Sequence, residues 1–198
     1  MPEELMPDPR PPQGGGVGVP PMGGFTELYD PVAPAIYTWA RLHIGARLRR
    51  SIDPEDVLQE VFCRAYLGFA NYDKKRPFRG WLFGIANNVL REALRGLKAR
   101  GESVFQGTRE GLERVADQAT SISSRVVRDE KLQLFVDEVA DLGDEDRRLL
   151  IYRGLEGLGH KEVATLLQLT TVSAEKRWQR LRSRLRKRGV PAGIIEDA

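Results

Sequence analysis

The chain has 198 residues, 41% hydrophobic and 30% charged, with a formal net charge of +3. That length suits one ordinary domain or two small ones, and its apolar runs fall far short of the ~20 residues that span a bilayer. Its one cysteine, Cys63, excludes an internal disulfide and fits a reducing, cytosolic compartment, and no secretion signal opens the chain.

Residues 1–24 hold seven prolines and six glycines with almost nothing to bury. Such a stretch cannot offset the entropy of ordering and reads as a disordered tail. Order is expected from Phe25. Asp30-Pro31 reads as a helix start, an acceptor at the cap followed by a proline at the first position, with Ile36, Ala40 and Ile44 at helical spacing behind it. Asp53-Pro54-Glu55-Asp56 repeats that start, and Val57, Leu58, Val61, Phe62 and Ala65 supply an apolar face. A polar, basic loop runs from Asn71 to Arg79. A longer helix then spans 80–98, with Leu82, Ile85, Ala86, Val89, Leu90, Ala93, Leu94 and Leu97 on a 3.6-residue period.

Between 99 and 128 the period fades into polar residues with Gly and Ser. We read a flexible linker, with at most a partial helix, separating two domains. Helical spacing returns with Leu132, Val136, Val139 and Leu142, followed by shorter helices over 144–154, 161–167 and 171–187. No run of alternating β-branched residues exists. The expected fold class is all-α: helical domains over 25–98 and 129–188, the second a helix-turn-helix, with a C-terminal tail from 189 to 198.

Three constellations stand out. Ala174, Trp178, Leu181 and Leu185 make a packing stripe on the last helix, leaving Ser173, Lys176, Arg177 and Arg180 free to reach a DNA groove. Thr170 or Thr171 can cap that helix, and arginine forks suit guanine edges or phosphate oxygens. The ordinary alternative is a solvated basic helix, since eight of the residues from 172 to 188 are Lys or Arg. On the 80–98 helix, Asn87, Asn88, Arg91, Arg95 and Lys98 share one sector opposite the apolar stripe, a pattern that fits either a nucleic-acid surface or a plain exposed face. Phe78, Arg79 and Trp81 lie beside the cations Lys74, Lys75 and Arg76, where aromatics can stack on unpaired bases or simply enter the core. The third constellation is acidic. Asp53, Glu55 and Asp56 serve as cap and dipole partners, whereas Asp56, Gln59, Glu60 and Cys63 share a face that could also dock a basic protein surface. His43, His160 and Cys63 are too scattered for a zinc pattern, and no phosphate loop or nucleophile motif occurs, so neither an enzyme nor a cofactor or metal is expected.

In this order the pieces resemble the extracytoplasmic-function (group IV) sigma factors of bacterial RNA polymerase, in the sigma-70 family. Asp53–Tyr66 (DPEDVLQEVFCRAY) is similar to their region 2.2, Pro77–Asn88 (PFRGWLFGIANN) to the start of regions 2.3 and 2.4, and Leu155–Ala164 (LEGLGHKEVA) to the approach to the region 4 helix-turn-helix. The resemblance implies that Asp56, Gln59 and Glu60 face the clamp helices of core RNA polymerase. It implies that Asn71, Tyr72, Lys74, Asn87, Asn88, Arg91 and Arg95 engage the −10 element, with Phe78 and Arg79 at the melting fork. Ser173, Lys176, Arg177 and Arg180 would address the −35 element of promoter DNA, and an anti-sigma factor is a further implied partner. Four departures from the family pattern bear on the −35 reading. Gln168 stands where a glycine is common at the turn, Gly159 replaces a hydroxyl cap with Glu162 left to reach back, Glu175 occupies a usually basic position, and Val172-Ser173-Ala174 replaces the common Gly-Thr-Val. The competing reading is an autonomous helix-turn-helix regulator with an N-terminal helical interaction domain, against which the 53–88 motifs speak.

Overall fold

A computed structural model describes residues 22–100, 113–191 and 193–195. Within them the fold is all-α, without a strand, and divides into an N-terminal and a C-terminal helical module on either side of residues 101–112. The first is built from α1 (Met22–Tyr29), α2 (Ala33–Leu48), α3 (Pro54–Gly68), a short 3-10 turn (Phe69–Asn71) and α4 (Phe78–Arg100). Then come α5 (Glu113–Val127), α6 (Glu130–Ala140), α7 (Asp144–Leu149), α8 (His160–Leu167) and α9 (Thr171–Lys187), with a wide π-turn over Leu150–Leu155 continuing α7.

Local chemistry accounts for most of these boundaries. The Asp53 side chain accepts from the Glu55 N–H at 2.8 Å, Pro54 follows as the first helical residue, and α3 begins there as the sequence indicates. Asp30-Pro31 behaves differently. Met22 opens α1, so the chain reaches Asp30 already helical, turns through 30–32 and starts α2 at Ala33 without a side-chain cap. The Asp30 carboxylate pairs instead with Arg125 of α5 at 2.9 Å. The anticipated tail, 1–24, lies outside the described residues except for 22–24, which form the first turn of α1.

The core of the N-terminal module is aromatic at its centre. Phe25 sits within 6.2 Å, centroid to centroid, of Tyr29, Phe62, Tyr66, Phe69 and Phe78, mostly edge to face, the arrangement that ring quadrupoles favour. In the C-terminal module Trp178 of α9 covers Gly154. A Cβ at that position would stand 2.8 Å from the indole, so only glycine lets the two pack.

The main departure from the sequence reading is α5. Residues 113–127, expected within a linker, form an amphipathic helix whose principal partner is α3. Val115, Ala119, Ile122 and Val126 are buried along its inner face, each of the larger three worth roughly 1.5–3 kcal/mol if fully removed from water. The remainder of that linker, 101–112, lies outside the described residues.

Candidate nucleic-acid interface

The loop between the 3-10 turn and α4 is held by its own chain. Lys75 N–H donates to the Asp73 carboxylate at 3.0 Å, Arg76 N–H donates to the Asp73 carbonyl at 2.9 Å, and the Tyr72 hydroxyl donates to the Arg76 carbonyl. Tyr72 is further fixed by ring contacts with Phe69, Phe78 and Trp81. Trp81 is half-buried against the core, which favours the packing role for it. Lys74, Lys75 and Arg76 are therefore held out to solvent on a braced turn, with Asn71 exposed beside them. A few residues on, Asn88 is half-exposed and Arg91 and Arg95 are exposed along one side of α4. The Lys98 side chain is outside the described residues. Loop and helix together form a cationic strip with amides in it, the composition that holds phosphates and meets base edges.

Arg79 and Asn87 have other partners. The Arg79 guanidinium donates to four backbone carbonyls: Leu155 at 2.7 Å, Gly154 at 3.2 Å, Gly193 at 3.0 Å and Ile194 at 2.6 Å. All four belong to the C-terminal half. Gly193 has φ +78° with its Cβ position 2.4 Å from the Pro31 carbonyl oxygen, so glycine is required for the tail to close over α1 and α2. Glu156 accepts from Trp39 Nε1 at 2.7 Å and from the Asn87 side chain. Burial raises the Glu156 carboxyl above the usual carboxylate range, and these two hydrogen bonds only partly offset it.

The C-terminal helix pair has the geometry expected of it. The Thr170 hydroxyl accepts from the Ser173 N–H at 3.1 Å and caps α9. Ala174, Trp178, Leu181 and Leu185 are buried, and Lys176, Gln179, Arg180 and Ser183 line an open groove on the outer side. Arg177 pairs with Glu145 and Arg184 with Asp146, both on α7, so part of the basic charge braces the module. Ser173 is tied to its cap, which leaves Lys176 and Arg180 as the outermost of the four expected −35 side chains. At the turn, Gln168 adopts the left-handed conformation (φ +55°) and Leu169 N–H closes the helix onto Ala164 at 2.8 Å. Glu162 does reach back to the Gly159 N–H, at 2.8 Å.

Comparison with known proteins bears on this arrangement. The family model for sigma-70 region 2 matches residues 28–100, the segment carrying the braced loop and the α4 strip. Relatives extend the likeness through the second module. The RNA polymerase sigma factor CnrH of Cupriavidus metallidurans is 28% identical over 137 residues, 67% of this chain and 71% of its own length. The ECF RNA polymerase sigma factor SigW of Bacillus subtilis is 27% identical over 168 residues, 82% of this chain and 87% of its own. The ECF RNA polymerase sigma factor SigD of Mycobacterium tuberculosis is 26% identical over 174 residues, 84% and 77% respectively. Residues 28–100 of this chain form a sigma-70 region 2, and the likeness to ECF RNA polymerase sigma factors runs through both modules. The region 2 match runs from the end of α1 through α4, and α8 and α9 form a helix-turn-helix.

The acidic face of α3 is less exposed than its sequence indicates. Asp56 is half-exposed, but Gln59 is only 8% exposed and Glu60 is fully buried. Arg64 donates to Glu60 at 2.7 Å and to Glu92 of α4 at 2.6 Å. Burial would lower the Arg64 pKa, and the two carboxylates hold it above its ordinary value instead. Gln59 Nε2 donates to the Ser123 hydroxyl of α5 at 3.0 Å, and that hydroxyl donates to Glu55 at 2.8 Å. Ser123 escaped the sequence reading, although a signal for it was present. Val115, Ala119, Ile122 and Val126 recur at i, i+4, i+7 and i+11, the same spacing that identifies the packing stripe of α9. No helix among the described residues is long and apolar enough to cross a membrane, and no metal-binding cluster occurs among them.

Proposed function

We propose that this sigma factor joins core RNA polymerase through the Asp56–Gln59–Glu60 face of α3 and opens promoters with two separate DNA contacts. Asn71, Tyr72, Lys74, Phe78, Arg79, Asn87, Asn88, Arg91 and Arg95 meet the −10 element, and Ser173, Lys176, Arg177 and Arg180 meet the −35 element. The observation that carries this reading is the braced 72–76 turn beside the strip of half-exposed Asn88 and exposed Arg91 and Arg95, because a preformed cationic surface loses little entropy on capturing a displaced strand. The chain performs no bond chemistry in this scheme; it supplies sequence recognition to an enzyme that does. A regulator that covers these faces, in the manner of an anti-sigma factor, fits the same surfaces.

Transcription reconstituted from the purified chain, core polymerase and genomic DNA tests the proposal. Discrete start sites should appear only when both proteins are present, and Arg91→Ala with Arg95→Ala should reduce them at least tenfold without loss of polymerase binding. Absence of initiation at every promoter, or tight duplex binding by the isolated chain as a dimer, would favour an autonomous regulator instead.

A further inference from the structure

Part of the α3 face assigned above to polymerase, Gln59 with its neighbour Glu55, is already covered within the chain by α5. Ser123, fully buried, stands between Glu55 and Gln59 and hydrogen-bonds to both, at 2.8 and 3.0 Å. Those are the bonds that an external docking surface would otherwise make with the same groups. Around this polar centre α5 lays down Val115, Ala119, Ile122 and Val126, and Arg125 pairs with Asp30 at the rim.

Two features distinguish α5 from the other helices around α3. It lies outside the segment matched by sigma-70 region 2, which ends at residue 100, and residues 101–112 separate the two in the sequence. Its buried side is also small, one hydroxyl among two valines, an isoleucine and an alanine, whereas α2 and α4 contribute Trp39, Ile36, Leu82 and Phe83. Being part of the same chain gives such a helix a high effective concentration over α3 while leaving its own contacts exchangeable.

We propose that α5 is an intramolecular occupant of the polymerase-docking face, so that the free chain is self-masked and core polymerase displaces α5 when it binds. This rests on the sigma-factor reading given above. Displacement exposes Gln59 and opens the side of α3 next to Asp56, while Glu60 stays held by Arg64. If masked chains outnumber open ones ten to one, binding is weakened about tenfold relative to an open chain.

The test uses the full-length chain. Ile122→Asp, which puts a charge on the buried side of α5, should raise affinity for core polymerase about tenfold while α2, α3 and α4 keep their hydrogen-exchange protection. In the wild-type complex, amides 113–127 should lose protection as α3 retains it, a readout that holds even if the variant folds poorly. Protection of 113–127 that persists in the wild-type complex would overturn the mask and leave the sigma reading standing. Failure of wild type and variant alike to bind polymerase would overturn the sigma reading, and the mask with it.

Discussion

Among the described residues Gln168 is the non-glycine residue with a positive φ, +55° at the end of α8. The turn of the helix-turn-helix needs a left-handed residue there to redirect the chain into α9, and a Cβ in that conformation costs about 1–2 kcal/mol. Gln168→Gly relieves this cost but adds freedom to the unfolded chain, worth about 0.4–1 kcal/mol in the other direction. The net expectation is a gain of about 0.5–1 kcal/mol, read as a rise of about 2 °C in the thermal midpoint. A lower midpoint would mean that the glutamine side chain makes a contact outweighing its strain. The family resemblance marks this position as unusual, and its backbone angle gives the physical content of that difference.

At the scale of single helices, α9 and α5 carry the same spacing of apolar residues with different outcomes. In α9 the outer side is basic, and Lys176 and Arg180 border an open groove. Phosphate contacts release counterions, so each one lost should lower the slope of log affinity against log salt by about 0.9. Arg180→Ala is expected to flatten that slope by about one unit for the polymerase–promoter complex, measured across a salt series. An unchanged slope would remove Arg180 from the phosphate contacts. The position of α9 was legible because its basic run draws attention to the stripe beneath. The stripe of α5 lies between polar residues and beside Gly and Ser, which lower local helix propensity, and its stability comes from packing on α3. Periodicity alone marks both helices, but only tertiary contact decides that the second is held.

For the whole molecule, one contact between modules, beside the packing of α5 on α3, joins Glu156, Arg79 and the returning tail. The Glu156 carboxyl is raised by burial, so the folded state binds its proton more tightly than the unfolded chain does. Stability from this group is accordingly present at acid pH, below the ordinary carboxylate range, and is lost as pH rises through the raised value. Glu156→Gln keeps an acceptor for Trp39 and Asn87 but cannot titrate. Denaturant unfolding followed from acid to neutral pH should show a smaller decline for the variant than for wild type, and superimposable profiles would show that Glu156 contributes nothing to the pH dependence. The same contact holds Arg79 and Asn87 away from solvent, so a DNA-engaged chain has to exchange these partners for nucleic acid.

Sequence by itself determined where most of the helices lie, though not α5, and which residues cap α3 and α9, because capping, proline placement and apolar period act over a few neighbouring residues. Asp53, Thr170 and the stripe of α9 are instances, as is the cationic loop beside α4. Tertiary structure decided which polar residues stay accessible. Gln59 is buried because a helix more than fifty residues away presents Ser123 to it. Arg79 is occupied by backbone carbonyls, which every residue carries and no sequence pattern announces.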